Sequence, residues 1–183
     1  MNINLVIQKR ILEDGLKQEF EQTFSDRVER YLEVKPHSMI PNTPFACASS
    51  ECSKSYRDGH YYGCISLTQS VVESLVKFLC RANSWKPDKV FEKNIQKLKT
   101  RRIITTEQFN DLLKIWENRD DYHHLNDSVE SDYMKLKALS KDKLVLLNKI
   151  ERQIFDFSIN KGVIIPRNPK YWTTGNEDFL RFD

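Results

Sequence analysis

The chain has 183 residues, 29 Lys and Arg against 26 Asp and Glu, and a formal charge of +3. That length fits one domain with short appendages and excludes a TIM barrel or a two-domain dehydrogenase, while 39% hydrophobic residues supply a core and exclude wholesale disorder. The near-balanced charge leaves any attraction to nucleic acid to a local patch, and none of the five glycines stands in a G-x-G-x-x-G or G-x-x-x-x-G-K-[ST] pattern, which removes the Rossmann and P-loop phosphate cradles.

Leu12, Leu16, Phe20, Phe24, Val28 and Leu32 recur every four residues with Tyr31 beside them, predicting a helix from about 8 to 33 with one apolar stripe. Pro36, Pro41 and Pro44 then make 34–44 a connector. From Phe45 to Asn83 there is no proline, and Tyr61, Ile65, Thr68, Val72, Leu75 and Leu79 step by three or four as the core face of a long helix. Gly59 and Gly63 weaken its first half by about 1 kcal/mol each relative to Ala, so they mark either a kink or a close neighbour.

Pro87 with Asp88 opens a short helix carrying Phe91, Ile95 and Leu98, and Thr105 or Thr106 with Glu107 starts another that runs to about Tyr122. Asp127 with Glu130 resembles a capping box, after which Tyr133, Leu136, Leu139, Leu147, Ile150, Ile154 and Phe157 hold helical phase to a stop near Asn160 and Gly162. The remainder, with Val163-Ile164-Ile165 and two prolines, reads as an extended tail or single strand. The expected class is all-α, an up-down helical bundle, with an N-terminal helix and Pro-rich connector at 1–44, a core at 45–160 and a tail at 161–183.

No run reaches the ~18 to 20 apolar residues that span a bilayer, and Met1-Asn2-Ile3-Asn4 lacks the charged start and apolar stretch of a signal peptide. The expectation is a cytoplasmic protein with no membrane partner. Cys47, Cys52, Cys64 and Cys80 then read as reduced thiols. With His60 they contain no C-x2-C knuckle, so buried thiols are the better reading than structural zinc, and a Cys-His nucleophile has no support.

The densest cluster of reactive side chains is Asn118-Arg119-Asp120-Asp121-Tyr122-His123-His124-Leu125-Asn126. On a continuous helix Arg119 and His123 share a face, whereas His124 lies about 140° round from Arg119, so those two converge only if the helix ends or a second subunit contributes. Arg119 also follows Leu112 and Ile115 at the edge of the buried stripe, where a guanidinium needs anionic partners such as Asp120 or Asp121. In the ordinary role, Arg119 pairs with an aspartate and the histidines cap a helix end. In the reactive role, a histidine moves a proton near neutral pH and the guanidinium stabilises a phosphorane-like anion without metal.

Arg119 followed by a polar residue, with His124 after four intervening positions, resembles the R-x4-6-H motif of the HEPN superfamily (higher eukaryotes and prokaryotes nucleotide-binding). Asp58-Gly59-His60-Tyr61-Tyr62 with Ser70-Val71-Val72-Glu73-Ser74-Leu75 is similar to the first core helix of that family, and Arg119 to Asn126 to the end of its third. The resemblance covers roughly residues 45 to 160 and implies a HEPN-like bundle acting as a homodimeric, metal-independent endoribonuclease with no cofactor. His124 would be the base on the ribose 2′-OH, Arg119 would stabilise the scissile phosphate and Asp120 would orient one of them, leaving a 2′,3′-cyclic phosphate and a 5′-OH. His123 and Tyr122 would support the site; Glu73, in the middle of an otherwise apolar helix face, could partner Arg119, although a partly exposed carboxylate is its default role. Such domains occur in toxin-antitoxin and antiphage loci; other members are inactive RNA-binding, nucleotide-binding or assembly modules paired with an antitoxin, a nucleotidyltransferase or another effector.

Lys86, Lys89, Lys93, Lys97 and Arg101 recur at three or four residues and could track an RNA backbone, with Lys93, Lys97 and Arg101 the chosen contacts, although such a stripe is commonly a solvated face. Tyr61 and Tyr62, or Tyr171 and Trp172, could stack on bases, though aromatic pairs more often belong to a core.

Overall fold

The computed structural model describes residues 3–34, 39–41, 43–172 and 178–180. Its elements are α1 (Ile3–Glu33), β1 (Met39–Pro41), α2 (Ala46–Arg57), α3 (Tyr61–Ala82), α4 (Phe91–Thr100), α5 (Thr106–Trp116), α6 (Arg119–His124), α7 (Tyr133–Ile154), β2 (Phe157–Asn160), β3 (Val163–Pro166), a 3-10 turn at Pro169–Tyr171, and β4 (Asp178–Leu180). The protein is mostly helical, as its periodicity requires. Of the predicted connector, residues 35–38 and 42 lie outside the described residues, as do 173–177 and 181–183 of the tail.

At the centre stands α3, against which α2, α4, α5, α6 and α7 all pack. Its stripe of Tyr61, Ile65, Thr68, Val72, Leu75 and Leu79 is buried throughout, so the three-and-four spacing reports the core face. By length and hydropathy α3 is apolar enough to cross a bilayer, contrary to the reading of the sequence, but 61% of that apolar window is buried within the bundle. Cys52, Cys64 and Cys80 are buried, Cys47 is exposed, and burial pushes the Cys64 thiol up to about 12.

The predicted helix from Phe45 to Asn83 is two helices. Gly59, at φ +83°, takes the left-handed conformation that ends α2, and a Cβ there would sit 3.3 Å from the Tyr133 hydroxyl. Gly63 lies inside α3 with nothing within 4 Å of its missing Cβ. Gly63→Ala is therefore expected to stabilise the fold by about 1 kcal/mol in urea denaturation, whereas Gly59→Ala should destabilise it.

Three other boundaries differ from expectation. The helix opening after Pro87 begins only at Phe91, because Asn94 holds the preceding loop through bonds with Asp88 and Val90. Thr105 caps α5 as expected, in a box with Gln108, but α5 stops at Trp116 rather than near Tyr122 because Asn118 turns left-handed at φ 59°. Asp132, not Asp127, caps α7 by accepting the Lys135 N–H at 2.9 Å, while Glu130 accepts the Asp132 N–H.

The last helix also ends earlier, at Ile154. Residues 157–160 become a strand because Lys161 and Gly162, both at positive φ, form a two-residue hairpin turn that folds Val163–Pro166 back on Phe157–Asn160. A run that satisfied helical phase also satisfied strand alternation, and pairing with a β-branched neighbour decided between them. Beyond the hairpin, Tyr171 packs on Phe78 and Trp172 on Phe157, both buried, which removes them as base-stacking platforms. The described part of the tail closes with β4 paired antiparallel to β1, Met39 opposite Leu180.

Only the last turns of α1 dock on the body. Arg30 Nε donates to the Arg57 carbonyl at 2.7 Å, Arg27 pairs with Asp58 at 2.7 Å, and the Tyr56 hydroxyl donates to Glu33 at 2.5 Å. That bond, with Lys137 and Lys141 nearby, holds the Glu33 carboxyl below its usual 4.5. A lowered carboxylate contributes stability that is full above its unfolded value and is lost as pH falls through the folded one. Tyr56→Phe is accordingly expected to cost about 1 to 2 kcal/mol at pH 7 and progressively less below pH 4.5, measured by urea denaturation across that range.

Candidate functional site

The six-residue α6 lies between two left-handed residues, Asn118 at φ 59° and Leu125 at φ 55°. Asparagine adopts that conformation readily; a leucine does not, so Leu125 is a strained stop immediately after His124. Asp121 closes the turn by accepting from Asn126 Nδ2 at 3.1 Å and Ser128 Oγ at 2.7 Å, two bonds that lower its pKa. Asp121 is thus spent on the loop. Asp120 is the partner of Arg119, at 3.0 Å.

Neighbouring helices grip this segment from both sides. Gln69 Nε2 on α3 donates to the Ile115 and Glu117 carbonyls, each at 3.1 Å. From α7, Lys143 Nζ donates to the Lys114, Ile115 and Glu117 carbonyls at 3.0, 2.8 and 2.9 Å. Three ammonium protons meet three carbonyls at the C-terminus of α5, where a helix is electronegative. Burial pushes the Lys143 pKa down to about 8, Glu117 pulling the other way, so the ammonium remains the major form at neutral pH. One turn on, the Tyr122 carbonyl accepts from the Tyr62 hydroxyl and from Ser66 Oγ, and the Tyr62 and Tyr122 rings lie 5.6 Å apart. Tyr61 and Tyr62 are therefore engaged inside the molecule, Tyr61 against Tyr56 and Tyr133.

The Arg119 guanidinium lies 5.3 Å from the centre of the Trp116 ring, which stacks on Phe91 of α4 at 4.1 Å. Around it, Glu92, Trp116, Glu117, Asn118 and Asp120 line a groove of about 290 Å³. Arg119 Nε and His123 Nε2 are both shielded from solvent without a hydrogen-bond partner. Burial, then Arg119 and His124, hold the His123 imidazole below its usual 6.5, with Glu73 and Asp120 opposing, which favours its neutral form.

The sequence-derived site is therefore divided. Arg119 and His123 share one face of α6, and His124 is exposed about 140° away on the same short helix. Tyr122 is buried and acts through its carbonyl and ring. Glu73 is paired with Lys77, and its charge is felt at His123 rather than bonded to Arg119. No family model, curated protein or solved structure matches the chain.

On α4, Lys93, Lys97 and the capping residue Arg101 line a groove of about 610 Å³ with Glu92, while Lys86 and Lys89 precede the helix and join Lys93 and Lys97 in another of about 650 Å³. The five cations thus do not form one helical stripe. Lys97 stacks over Trp85 at 4.9 Å. Glu92 borders both the Lys93–Arg101 groove and the Arg119 groove, so the cationic face of α4 adjoins α6.

Sequence reasoning missed Lys143 and Gln69. Lys143 sits in the phase of the apolar residues of α7, four before Leu147, and a lysine at a core position is a signal that a buried carbonyl or carboxylate needs it.

Proposed function

We propose that the protein is a metal-independent endoribonuclease of HEPN type, acting as a homodimer. The observation that carries this reading is Arg119 on α6, its Nε without a hydrogen-bond partner, beside Asp120 and the cationic α4. A guanidinium with an unspent N–H suits a phosphate oxygen, and Arg is always charged.

In this reading Arg119 binds the scissile phosphate, Asp120 orients it, and His124 takes the 2′-OH proton, the second copy supplying the approach that one α6 denies. The 2′-oxygen attacks phosphorus and the 5′-oxygen leaves with a proton, giving a 2′,3′-cyclic phosphate and a 5′-OH. Lys93, Lys97 and Arg101 hold the flanking backbone, each phosphate contact steepening the salt dependence. A toxin-antitoxin or antiphage role, with an antitoxin partner, belongs to the same proposal.

One observation favours a second reading, an inactive RNA- or nucleotide-binding module paired with a nucleotidyltransferase or other effector: Arg119 already has Asp120 and Trp116 as partners in the single chain. An RNA oligonucleotide cut by the protein in EDTA, compared with the same strand carrying one 2′-deoxy residue at the cut, separates the two. Endoribonuclease chemistry predicts loss of cutting at the substituted position only. Binding without cutting of either strand would support the module.

A further inference from the structure

Four polar positions of α3, Tyr62, Ser66, Gln69 and Glu73, follow one another at spacings of four, three and four. At about 100° per residue they lie within about 60° of one another, one narrow polar face beside the buried stripe of Tyr61, Ile65 and Leu79. Gln69 is fully buried and the other three are half-buried. Each meets the segment that carries Arg119 and His124: Gln69 holds the Ile115 and Glu117 carbonyls before α6, Tyr62 and Ser66 both donate to the Tyr122 carbonyl within it, and the charge of Glu73 is felt at His123.

The Tyr122 carbonyl needs those donors. In a continuing helix the N–H groups of Leu125 and Asn126 would bond the carbonyls of Asp121 and Tyr122; here the left-handed turn at Leu125 sends both to Asp121, the Asn126 bond at 3.2 Å. A helix of six residues has too few internal bonds to hold its own orientation. The hydroxyls of Tyr62 and Ser66, the latter at 3.3 Å, supply what it lacks, and the Tyr62 and Tyr122 rings, 5.6 Å apart, add a contact on the same side. The bonded carbonyl belongs to the planar peptide unit that joins Tyr122 to His123, one turn after Arg119 and just before His124. Holding it holds the backbone from which both histidines project.

We propose that Tyr62, seconded by Ser66, is the positioning residue of the site: it touches neither the phosphate nor the 2′-OH and acts by locking the α6 backbone in the orientation that presents Arg119 and the histidines to RNA. This role rests on the reading of α6 as the ribonuclease site, whereas its consequence for the histidines does not. Arg119, Asp120 and His124 on α6, and Glu73 on α3, itself paired with Lys77, are the charged groups whose fields reach His123. Burial is the largest cause of the lowered His123 pKa, so an α6 freed to lift from α3 admits water and lets that pKa rise toward 6.5.

The test compares the full chain with Tyr62→Phe, Ser66→Ala and the double variant. The protein has four histidines, so a proton NMR titration resolves them, and His123→Gln assigns the His123 resonance by its loss. The His123 pKa should lie below 6.5 in the parent and roughly 0.3 to 0.5 higher in the double variant. Single-turnover cleavage at saturating RNA should fall roughly tenfold in Tyr62→Phe, with RNA affinity unchanged because Lys93, Lys97 and Arg101 are untouched. Ser66→Ala, which leaves the phenol in place, should lose less. Urea denaturation reports the folded fraction, and the two single variants carry the same comparison if the double variant does not fold. A His123 titration and a cleavage rate equal to the parent's in folded Tyr62→Phe would overturn the inference, as would lost stability with neither readout moved, the mark of a bond that only supports the fold. RNA left uncut by the parent would defeat the ribonuclease proposal, and the titration then decides by itself whether Tyr62 sets the histidines.

Discussion

Arg119→Ala is expected to lower RNA cleavage at least ~100-fold while changing stability by less than about 1 kcal/mol. The small stability effect follows from what Arg119 touches: an exposed Asp120 carboxylate and the Trp116 ring, contacts whose loss the fold tolerates. The large activity effect follows from its position at the edge of the α6 groove, where it is the residue expected to meet the phosphate. The histidines refine this prediction. His124→Ala should cost ~100-fold or more, and His123→Ala less than tenfold. The reverse ranking, read from single-turnover rates, would transfer the base role to His123, the histidine that shares a face with Arg119 and whose pKa is lowered by burial. Unchanged rates in all three variants would remove α6 from the chemistry.

Lys143→Met carries the largest expected cost to stability, about 3 kcal/mol in urea denaturation. Lys143 is 3% exposed. Methionine fills its volume and supplies no donor, leaving the Lys114 carbonyl without its side-chain partner and the Ile115 and Glu117 carbonyls to Gln69 alone. Gln69→Leu should cost less, about 1 to 2 kcal/mol, and the double variant more than the sum, because each side chain covers for the other at two shared carbonyls. Where Lys143→Met remains folded, cleavage should slow as well, since the carbonyls it holds end two residues before Arg119. A loss below 1 kcal/mol would show that the clamp contributes little to the fold.

Much of the architecture is legible in the sequence because each helix buries one face. The Ile65 to Leu79 stripe, the helix at Phe91 to Leu98 and the long run from Tyr133 carry their own periodicity, and the structure places them as helices around α3. The boundaries were less legible because they depend on single residues choosing positive φ. A glycine at 59 signals such a turn, whereas Asn118 gives a weaker signal, although asparagine tolerates this conformation better than most residues with a side chain. The hairpin at 157–166 was hidden by length: four residues fit either period, and only the return of Val163–Pro166 selects the strand. At the site, the sequence grouped Arg119, Asp120, His123 and His124 by proximity in the chain. What it could not carry is the clamp, since Gln69 and Lys143 reach the same carbonyls from positions 74 residues apart in the chain.

The central claim is most directly tested by incubating a mixed RNA pool with the purified full chain in EDTA, beside an Arg119→Ala/His124→Ala variant matched for folding and mass, and analysing the product ends. The expected result is cleavage by the parent alone, 2′,3′-cyclic phosphate and 5′-OH termini, and intact DNA in a parallel sample. Cleavage by neither protein, or equal cleavage by both, would contradict it.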